Sequence, residues 1–518
     1  MALSKVAVPM TISRRIVVAT VGLAITACAR PLPPTTAAIP APVTPMPAAD
    51  RAPATLVPAT LQQFVDSLVA LPQFANAHWG VMVVNAAHAA PLVSVNVDKL
   101  VMPASNMKLV TAAVALAQLA ADFTWRTTFL RTGTIRSGVL RGDVLVAGSG
   151  DPTISVAMRG TPLTAFAPVV AALRAAGVRR IAGHVRSIDS VAFSGSAVGY
   201  GWDWDDLNEP YGAGVSELLF NEAFAEVRVT GCARVGARAC ASTAPLRASP
   251  VLRSTVVIRS AGSGPPQVTW WRDSAAVPGI SLRGSIAAGD SITISVAQPD
   301  TRATYAAALT EALMQAGIAV DGRTPAAVAT AHVDTLCIIQ SPPLSAVLPA
   351  MQKPSKNQIA ETLFRTIGLQ VTGVGTPDSA RVVVERQLAA WGVRPDAYAI
   401  RDGSGLSRHD YLTPHAIVQV LSEVRHYAFF QTYLDALPVA GVDGTLERRM
   451  RSFAQGRVHA KTGTIDKARA LSGYVATADG ELFIFSIIAN NFSVANREVD
   501  RVAESIVERL VNMRRAAP

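Results

Sequence analysis

The stretch Met102-Pro103-Ala104-Ser105-Asn106-Met107-Lys108-Leu109-Val110-Thr111 joins a proline-led turn to a segment rich in alanine, leucine and valine. Proline is favoured near the start of a helix because its missing N–H costs nothing there. The pattern therefore predicts a helix from about Ser105 to Ala121. Ser105 and Lys108 are three residues apart, so they lie on the same face of that helix.

A serine at the start of a helix, with a lysine one turn further on, can act as a nucleophile if the lysine activates it. The hydroxyl needs a base within hydrogen-bond reach, and a lysine is a base only when burial or nearby positive charge lowers its pKa. The helix N-terminus supplies partial positive charge, which also favours a developing oxyanion. Ser-x-x-Lys alone is common by chance, and a capping serine beside a surface lysine explains an isolated match better.

Two further groups of polar residues extend the pattern. Ser355-Lys356-Asn357 lies just before a predicted helix, Gln358–Leu369, and Lys461-Thr462-Gly463 lies on a predicted strand. The second hydroxyl can relay a proton to a leaving group, and the asparagine amide can hold Lys108 and a substrate amide. A cation beside a hydroxyl suits a substrate carboxylate, and a glycine permits close approach to an edge strand.

Ser-x-x-Lys, Ser-x-Asn and Lys-Thr-Gly, in this order and on these elements, resemble the motifs of the penicillin-recognising serine hydrolases. Over roughly residues 60–518 the chain is similar to the low-molecular-weight class C penicillin-binding proteins, the D-Ala-D-Ala carboxypeptidase/endopeptidase family. Lys356 departs from that family's pattern, in which we expect aspartate or asparagine. The longer stretches that carry the resemblance are Met102–Thr111, Gly150–Thr153, Asp402–Ser407, Leu437–Leu446 and Ala460–Thr464.

The resemblance implies a role for each catalytic residue. Ser105 attacks the carbonyl of the penultimate D-Ala, and Lys108 takes the proton of the hydroxyl. Ser355, together with Lys461, returns a proton to the departing amine, while Asn357 binds the substrate backbone. Water then hydrolyses the acyl-enzyme.

The resemblance also implies how the substrate is held. Lys461 and Thr462 bind its carboxylate, Gly463 lets it lie along the strand, and the backbone N–H groups of Ser105 and Thr464 form the oxyanion hole. The implied partners are peptidoglycan stem peptides ending in D-Ala-D-Ala, and β-lactam antibiotics act as covalent inhibitors. Cleavage of the D-Ala–diaminopimelate cross-link is expected as well, because its acceptor carbon also bears a carboxylate.

The resemblance implies an α/β fold of the β-lactamase/DD-peptidase type, in which helices flank an antiparallel sheet. Ser355 lies 250 residues after Ser105, and much of that gap is rich in short β-like runs with glycine and proline turns. We therefore predict a discontinuous catalytic domain, residues 59–130 and 335–518. A β-rich insertion of two small modules, residues 131–334, interrupts it.

The C-terminal part has a distinct local pattern. Strands are predicted at Val458–Thr464, Leu471–Thr477 and Leu482–Ala489, the last two joined by a turn at Asp479-Gly480. A final helix follows, and four of its apolar residues share one face. These four residues are Val499, Val502, Ile506 and Leu510.

The N-terminus indicates export. Arg14-Arg15 precede an apolar run, Ile16–Ala27, that is too short for an ordinary membrane span. The run ends in Ile25-Thr26-Ala27-Cys28, which resembles a lipoprotein cleavage site, so residues 1–28 are predicted to be a lipoprotein-type signal peptide with lipid on Cys28. Ordinary cleavage nearby, with Cys28 incidental, is the alternative. Residues 29–58, rich in Pro, Ala and Thr, are predicted to tether a periplasmic protein to the membrane.

The composition limits the remaining classes of partner and cofactor. Lys and Arg together number 47, giving a formal net charge of +10, but no clustered tract indicates nucleic acid. Only seven of the 47 are Lys, and four of these, Lys108, Lys353, Lys356 and Lys461, lie in or beside the motifs. No Cys/His spacing indicates a metal site, and no cofactor is expected. In an oxidising compartment Cys232 and Cys240 can close a small disulfide loop, and Cys337 is predicted to be a buried free thiol.

Two other functions remain as alternatives. A β-lactamase would not need the insertion, and no Glu-x-x-x-Asn deacylation motif stands at a suitable place. A non-hydrolytic penicillin-sensing or wall-binding lipoprotein would not need Lys108 and Ser355. For the glycine-rich stretch Asp402–Gly405, a tight turn that shapes the domain is favoured over substrate contact, and for Trp202 and Trp204 packing is favoured over sugar stacking.

Overall fold

The computed structural model describes residues 58–88, 90–188, 192–244, 250–272, 279–322 and 333–514. The helices are α1 Pro58–Val69, α2 Met107–Leu119, α3 Val156–Arg159, α4 Ala167–Ala175, α5 Thr301–Gln315, α6 Leu344–Gln352, α7 Asn357–Thr372, α8 Pro377–Ala390, α9 Pro414–Val424, α10 Phe430–Ala436 and α11 Asn496–Val511. The strands of the first half are β1 His78–Asn85, β2 Pro91–Val95, β3 Arg126–Thr132, β4 Thr134–Arg136, β5 Val139–Arg141, β6 Val144–Ala147, β7 Arg180–Ile181, β8 Val185–Ser187, β9 Phe224–Thr230, β10 Cys240–Ala244 and β11 Val251–Ser254. Those of the second half are β12 Val257–Arg259, β13 Gln267–Arg272, β14 Gly279–Ala287, β15 Ser291–Ala297, β16 Ala319–Val320, β17 Val333–Gln340, β18 Tyr398–Ala399, β19 Tyr411–Leu412, β20 Val458–Ile465, β21 Ala468–Ala476 and β22 Leu482–Asn490.

A five-stranded antiparallel sheet organises the fold, with the strands in the order β2-β1-β22-β21-β20. Successive side chains of a strand point to opposite faces. In the central strand β22, Phe483 and Phe485 pack on one face with α1 and α11, whereas Ile484 and Ile488 pack on the other with α2, α7 and α9. Both faces are therefore covered by helices, and β20 lies at an edge of the sheet.

The C-terminal prediction is confirmed. Strands β21 and β22 pair in antiparallel register around a turn in which Gly480 has a positive φ of 88°. In α11, all four apolar residues predicted to share a face are buried in the cluster against the sheet. This helix closes the face of the sheet opposite to the one that α9 covers.

Helix α2 lies inside the apolar cluster on one side of the sheet, packed against α7, α8 and α9. Every residue from Met107 to Leu116 is buried, which explains why the sequence there is apolar on all sides rather than amphipathic. A short 3₁₀ turn, Ala104–Asn106, precedes the helix, so Ser105 lies just before its first turn. The predicted helix start is thus correct in place, although its first residues are wound more tightly.

The chain leaves this part of the molecule at β3 and returns at β17, which pair with each other in antiparallel register. Between them lie two separate apolar clusters, one formed mainly by β3, β6, α4 and α5, the other by β9, β12, β14 and β15. A disulfide joins Cys232 and Cys240 at the end of β9 and the start of β10. Cys337 is free, as predicted, but the prediction that it is buried is wrong: it is only half-buried, because it lies on β17 near the boundary of the first cluster.

Candidate active site

The side-chain nitrogen of Lys108 is surrounded by three hydrogen-bond acceptors. Its Nζ donates to Ser105 Oγ at 2.9 Å, to Asn357 Oδ1 at 2.7 Å and to the Ser404 carbonyl oxygen at 2.7 Å. The side chain is completely buried. Lys108 and Asn357 lie 249 positions apart in sequence, so the fold brings together the serine, the lysine and the asparagine that the sequence pattern singled out.

Burial lowers the pKa of Lys108 from 10.5 to about 7, and the carboxylates of Asp402, Glu361 and Asp410 oppose that fall. Desolvation disfavours the ammonium form, whereas nearby negative charge favours it. The balance gives a lysine that is partly neutral at neutral pH. A neutral amine 2.9 Å from a hydroxyl can remove its proton.

Two glycines allow the backbone to crowd around Ser105. A Cβ on Gly405, which has a φ of +78°, would lie 1.8 Å from the Ala104 carbonyl oxygen. A Cβ on Gly463 would lie 2.8 Å from the Pro103 carbonyl oxygen. Gly463 thus lets strand β20 approach the turn that carries Ser105, a role beyond the substrate approach for which the sequence suggested it.

Lys461 and Ser355 form a second polar pair. Lys461 Nζ donates to Ser355 Oγ at 2.8 Å and to the Thr462 carbonyl oxygen at 2.9 Å. Burial lowers the pKa of Lys461 well below its usual value, and the charge of Lys108 lowers it further. Ser355 has a φ of +66°, a conformation that costs a non-glycine residue on the order of 1 kcal/mol and recurs at functional sites.

The segment 211–224 contacts the second motif directly. Asn357 Nδ2 donates to the Tyr211 carbonyl oxygen at 3.0 Å. Lys356 Nζ pairs with Glu222 Oε2 at 2.6 Å and lies 5.2 Å from the centre of the Phe224 ring. The unexpected lysine at position 356 is therefore matched by a buried carboxylate on the facing segment.

The remaining residues of the third motif lie along the edge strand. Thr462 Oγ1 donates to Thr445 Oγ1 at 2.8 Å, and Thr462 is buried. Thr464 is exposed, and its hydroxyl accepts a hydrogen bond from Arg469. Thr445 comes from the stretch Leu437–Leu446, for which the sequence pattern predicts no role in the site.

The glycine-rich stretch Asp402–Gly405 is more than a turn that shapes the domain, since its Ser404 carbonyl holds Lys108. Asp402 fixes the loop by accepting from the N–H groups of Ser404, Gly405 and Ser407. Trp202 donates to the same carboxylate at 2.8 Å and is largely buried, as predicted. Trp204, by contrast, is 84% exposed, so packing does not explain it.

No group of three or more metal-ligating side chains occurs in the part of the chain that the structure describes. Among the described helices, none has the length and apolar character needed to cross a membrane. Cys28 and the predicted signal peptide lie outside the described residues, as does nearly all of the predicted tether.

Comparison with known proteins places this site in a family. Residues 61–513 match the D-Ala-D-Ala carboxypeptidase 3 (S13) family. The chain belongs to this family. It is 34% identical over 452 residues to the D-alanyl-D-alanine carboxypeptidase of Actinomadura sp. (strain R39), covering 84% of this chain and 81% of that protein. The resemblance to the low-molecular-weight class C penicillin-binding proteins is thereby confirmed.

Solved structures confirm the predicted fold class. Penicillin-binding protein 4 from Haemophilus influenzae superposes with a TM-score of 0.71 at 23% identity, covering 88% of this chain and 100% of that chain. The same protein complexed with a β-lactam gives a TM-score of 0.68 at 23% identity, with 86% and 98% of the two chains covered. This S13 family member therefore has the DD-peptidase fold of that protein.

Proposed function

We propose that this S13 family member is a penicillin-sensitive serine D-Ala-D-Ala carboxypeptidase that is acylated at Ser105. The observation that carries the proposal is the buried contact of 2.9 Å between Lys108 Nζ and Ser105 Oγ. The names of its relatives support the same activity, and a solved relative has been complexed with a β-lactam.

Acylation begins when neutral Lys108 takes the Ser105 proton. The hydroxyl oxygen attacks the carbonyl carbon of the penultimate D-Ala, and the electron pair of the C=O bond moves to its oxygen. The backbone N–H groups of Ser105 and Thr464 are proposed to stabilise that oxyanion, a contribution of roughly 3 kcal/mol per donor in serine hydrolases. Collapse of the intermediate breaks the peptide bond and leaves an ester on Ser105.

The leaving amine needs a proton as the peptide bond breaks. Ser355 is proposed to donate it through its hydroxyl, which accepts from Lys461 Nζ at 2.8 Å. Asn357 is proposed to bind the substrate backbone. An amide nitrogen carries two hydrogens, and one of those of Asn357 goes to the Tyr211 carbonyl, so the other can reach a substrate carbonyl. Water finally hydrolyses the ester and regenerates Ser105, and release of the proton from Lys108 to solvent balances the proton that Lys461 and Ser355 recover from solvent.

Lys461 and Thr462 are proposed to hold the substrate carboxylate, with Gly463 keeping the strand close to Ser105. Because this pair requires only a carboxylate beside the scissile bond, we extend the proposal to peptide cross-links of peptidoglycan. The acceptor carbon of such a cross-link is also a D-centre that bears a carboxylate. An endopeptidase activity would therefore use the same groups as the carboxypeptidase activity.

The test uses purified protein with a pentapeptide muropeptide and with a cross-linked muropeptide dimer. We expect release of D-Ala from the first and separation of the second into monomers. Ser105→Ala is the matched control, and it should lose both activities and covalent labelling by a fluorescent penicillin while remaining folded.

Each outcome of this test has a distinct meaning. Labelling of folded Ser105→Ala would refute the nucleophile. An intact dimer beside a processed monomer would leave a carboxypeptidase only. Rapid turnover of penicillin by the wild type would indicate a β-lactamase, and labelling without any peptide hydrolysis would indicate a penicillin-sensing protein.

The proposed place of action is the bacterial cell envelope, where the D-Ala-D-Ala stem peptides are. Export through the signal at residues 1–28 and lipid attachment at Cys28 are proposed from the sequence. The division into a catalytic domain, residues 59–130 and 335–518, and an insertion, residues 131–334, is proposed likewise. The separate apolar clusters between β3 and β17 support the two modules of that insertion.

A further inference from the structure

Helix α7 reaches Lys108 twice, once directly and once through the glycine-rich loop. Asn357 and Glu361 are four residues apart, so they occupy one face of the helix. Asn357 accepts a hydrogen bond from Lys108 Nζ at 2.7 Å. Glu361 Oε1 accepts from the N–H of Gly403 at 3.1 Å and from the N–H of Ser404 at 2.7 Å. The carbonyl of Ser404 in turn accepts from Lys108 Nζ.

Glu361 is a costly residue at this place. It is only 3% exposed, and burial with the nearby Asp402 carboxylate raises its pKa to about 8. The charged groups that act on it in return are Arg365 and Lys108, which lower its pKa. Lys108 itself faces Asp402, Asp410 and Lys461 besides Glu361. Burying a carboxyl group costs free energy, and the two hydrogen bonds that Glu361 accepts from the loop N–H groups offset part of that cost.

We propose that Glu361 is a positioning residue for the general base. It fixes the Ser404 peptide so that the Ser404 carbonyl holds Lys108 Nζ against Ser105. The inference rests on the proposed function of Lys108 as the base. It goes beyond the three motifs, because Glu361 lies outside all of them and has no contact with a reacting atom.

Two properties of the Glu361 side chain are separable. Its Oε1 accepts the two loop N–H groups, and with a pKa of about 8 the side chain carries little negative charge near pH 7. Glu361→Gln keeps an acceptor oxygen but cannot ionise, whereas Glu361→Leu has no acceptor. The two variants therefore distinguish the effect of the hydrogen bonds from the effect of ionisation.

The experiment measures acylation by a fluorescent penicillin, with the rate constant of acylation separated from the preceding binding constant, across neutral pH. We expect Glu361→Leu to lower the rate constant up to about 100-fold, the cost of a misplaced catalytic group, with the binding constant unchanged. Glu361→Gln should recover much of the rate. Its pH midpoint should stay near the wild-type value, because Glu361, with a pKa of about 8, is mostly protonated at pH 7.

Asp143→Asn is the matched control, since Asp143 is a buried carboxylate paired with Arg186 on the segment between β3 and β17. It should leave both the acylation rate constant and the pH midpoint at wild-type values. If Glu361→Leu does not fold, Glu361→Asp replaces it, because its shorter side chain draws the acceptor oxygens back from the two loop N–H groups. A rate constant for Glu361→Gln as low as that for Glu361→Leu, or a midpoint well below the wild-type value, would overturn the proposal. Failure of wild-type labelling at Ser105 would instead contradict the proposed function.

Discussion

The surroundings of Lys108 and those of Lys461 are two buried regions of one site that differ in their charged neighbours. Both side chains are completely buried, and burial lowers both pKa values. Around Lys108 three carboxylates oppose the effect of burial and leave the pKa at about 7. Around Lys461 the charge of Lys108 acts in the same direction as burial. The surroundings of Lys108 suit a base that gains and loses a proton in each cycle. The surroundings of Lys461 suit the binding of an anion, which would favour its ammonium form.

The other two lysines beside the motifs are held differently. Lys353 pairs with Asp443, and Lys356 pairs with Glu222. Both keep a quarter or more of the side chain exposed, at 25% and 31%. Each of these two lysines has its charge balanced by a carboxylate in direct contact. They therefore show, by comparison, what is unusual about the two completely buried lysines, Lys108 and Lys461.

The largest expected effect comes from Lys108→Arg. Arginine keeps its proton in proteins, so it cannot act as the base, and the acylation rate should fall by about 10²- to 10⁴-fold. The wild-type rate should rise with pH through a midpoint near 7, because only the neutral amine accepts the Ser105 proton. Stopped-flow acylation by a fluorescent penicillin across neutral pH measures both quantities.

Lys108→Met is the matched control, because it removes the amine without adding a fixed charge. It should be about as slow as Lys108→Arg, and the midpoint near neutrality should vanish in both. If Lys108→Arg retained most of the wild-type rate, Lys108 would act only through its positive charge and not as a base. The proposed difference in role between Lys108 and Lys461 would then be wrong.

The second prediction concerns proton uptake at Lys461. A carboxylate bound beside Lys461 favours its ammonium form, so binding should raise a pKa that is low in the free protein. Affinity should then increase as pH falls from the pKa of the complex towards that of the free protein, by at most about tenfold per pH unit for a single proton. Calorimetry of Ser105→Ala with a D-Ala-D-Ala peptide, in buffers of different ionisation enthalpy, counts the protons taken up.

Two controls isolate Lys461 in that measurement. A peptide with a C-terminal amide lacks the anion and should bind without proton uptake. Lys461→Met lacks the titrating amine and should take up fewer protons than Ser105→Ala alone. Binding of the carboxylate without net uptake of protons would show that Lys461 is already charged in the free protein. The low pKa that distinguishes Lys461 would then be wrong.

Much of the fold and of the site arrangement follows from the sequence, because hydrophobic periodicity and motif spacing are local signals. The predicted helix after Ser105, the paired strands β21 and β22 and the buried face of α11 are all present. The motif serine, lysine and asparagine also lie in one hydrogen-bonded group. Their chemical roles remain proposals that the kinetic experiments test.

The contacts that sequence reasoning missed are mostly made by backbone atoms. The Ser404 carbonyl holds Lys108, and Gly405 allows the close approach of the Ala104 carbonyl. Every residue type has a carbonyl, so no side-chain pattern marks the one that binds a lysine. Glu361 did leave a signal, since it lies four residues after Asn357 on the same helix. The partner of Lys356 depended on the path of residues 211–224, which no motif specifies.

The smallest expected effect on chemistry is that of Lys356→Met. The side chain of Glu222 is 2% exposed, and loss of its partner leaves a nearly buried carboxylate without its ion pair, at a cost of about 1–3 kcal/mol. Lys353→Met is the matched control, because Asp443 is 35% exposed and the expected cost is below about 1 kcal/mol. Urea unfolding measures both free energies, and Glu222→Gln in the Lys356→Met background should restore part of the loss.

The effect of Lys356→Met on chemistry should be small. Since Lys356 is not among the charges that shift the pKa of Lys108, the pH midpoint of acylation should stay at the wild-type value. A shifted midpoint would mean that the segment 211–224 acts on the base as well as on the second motif, and that the two lysine regions are electrostatically coupled through Lys356.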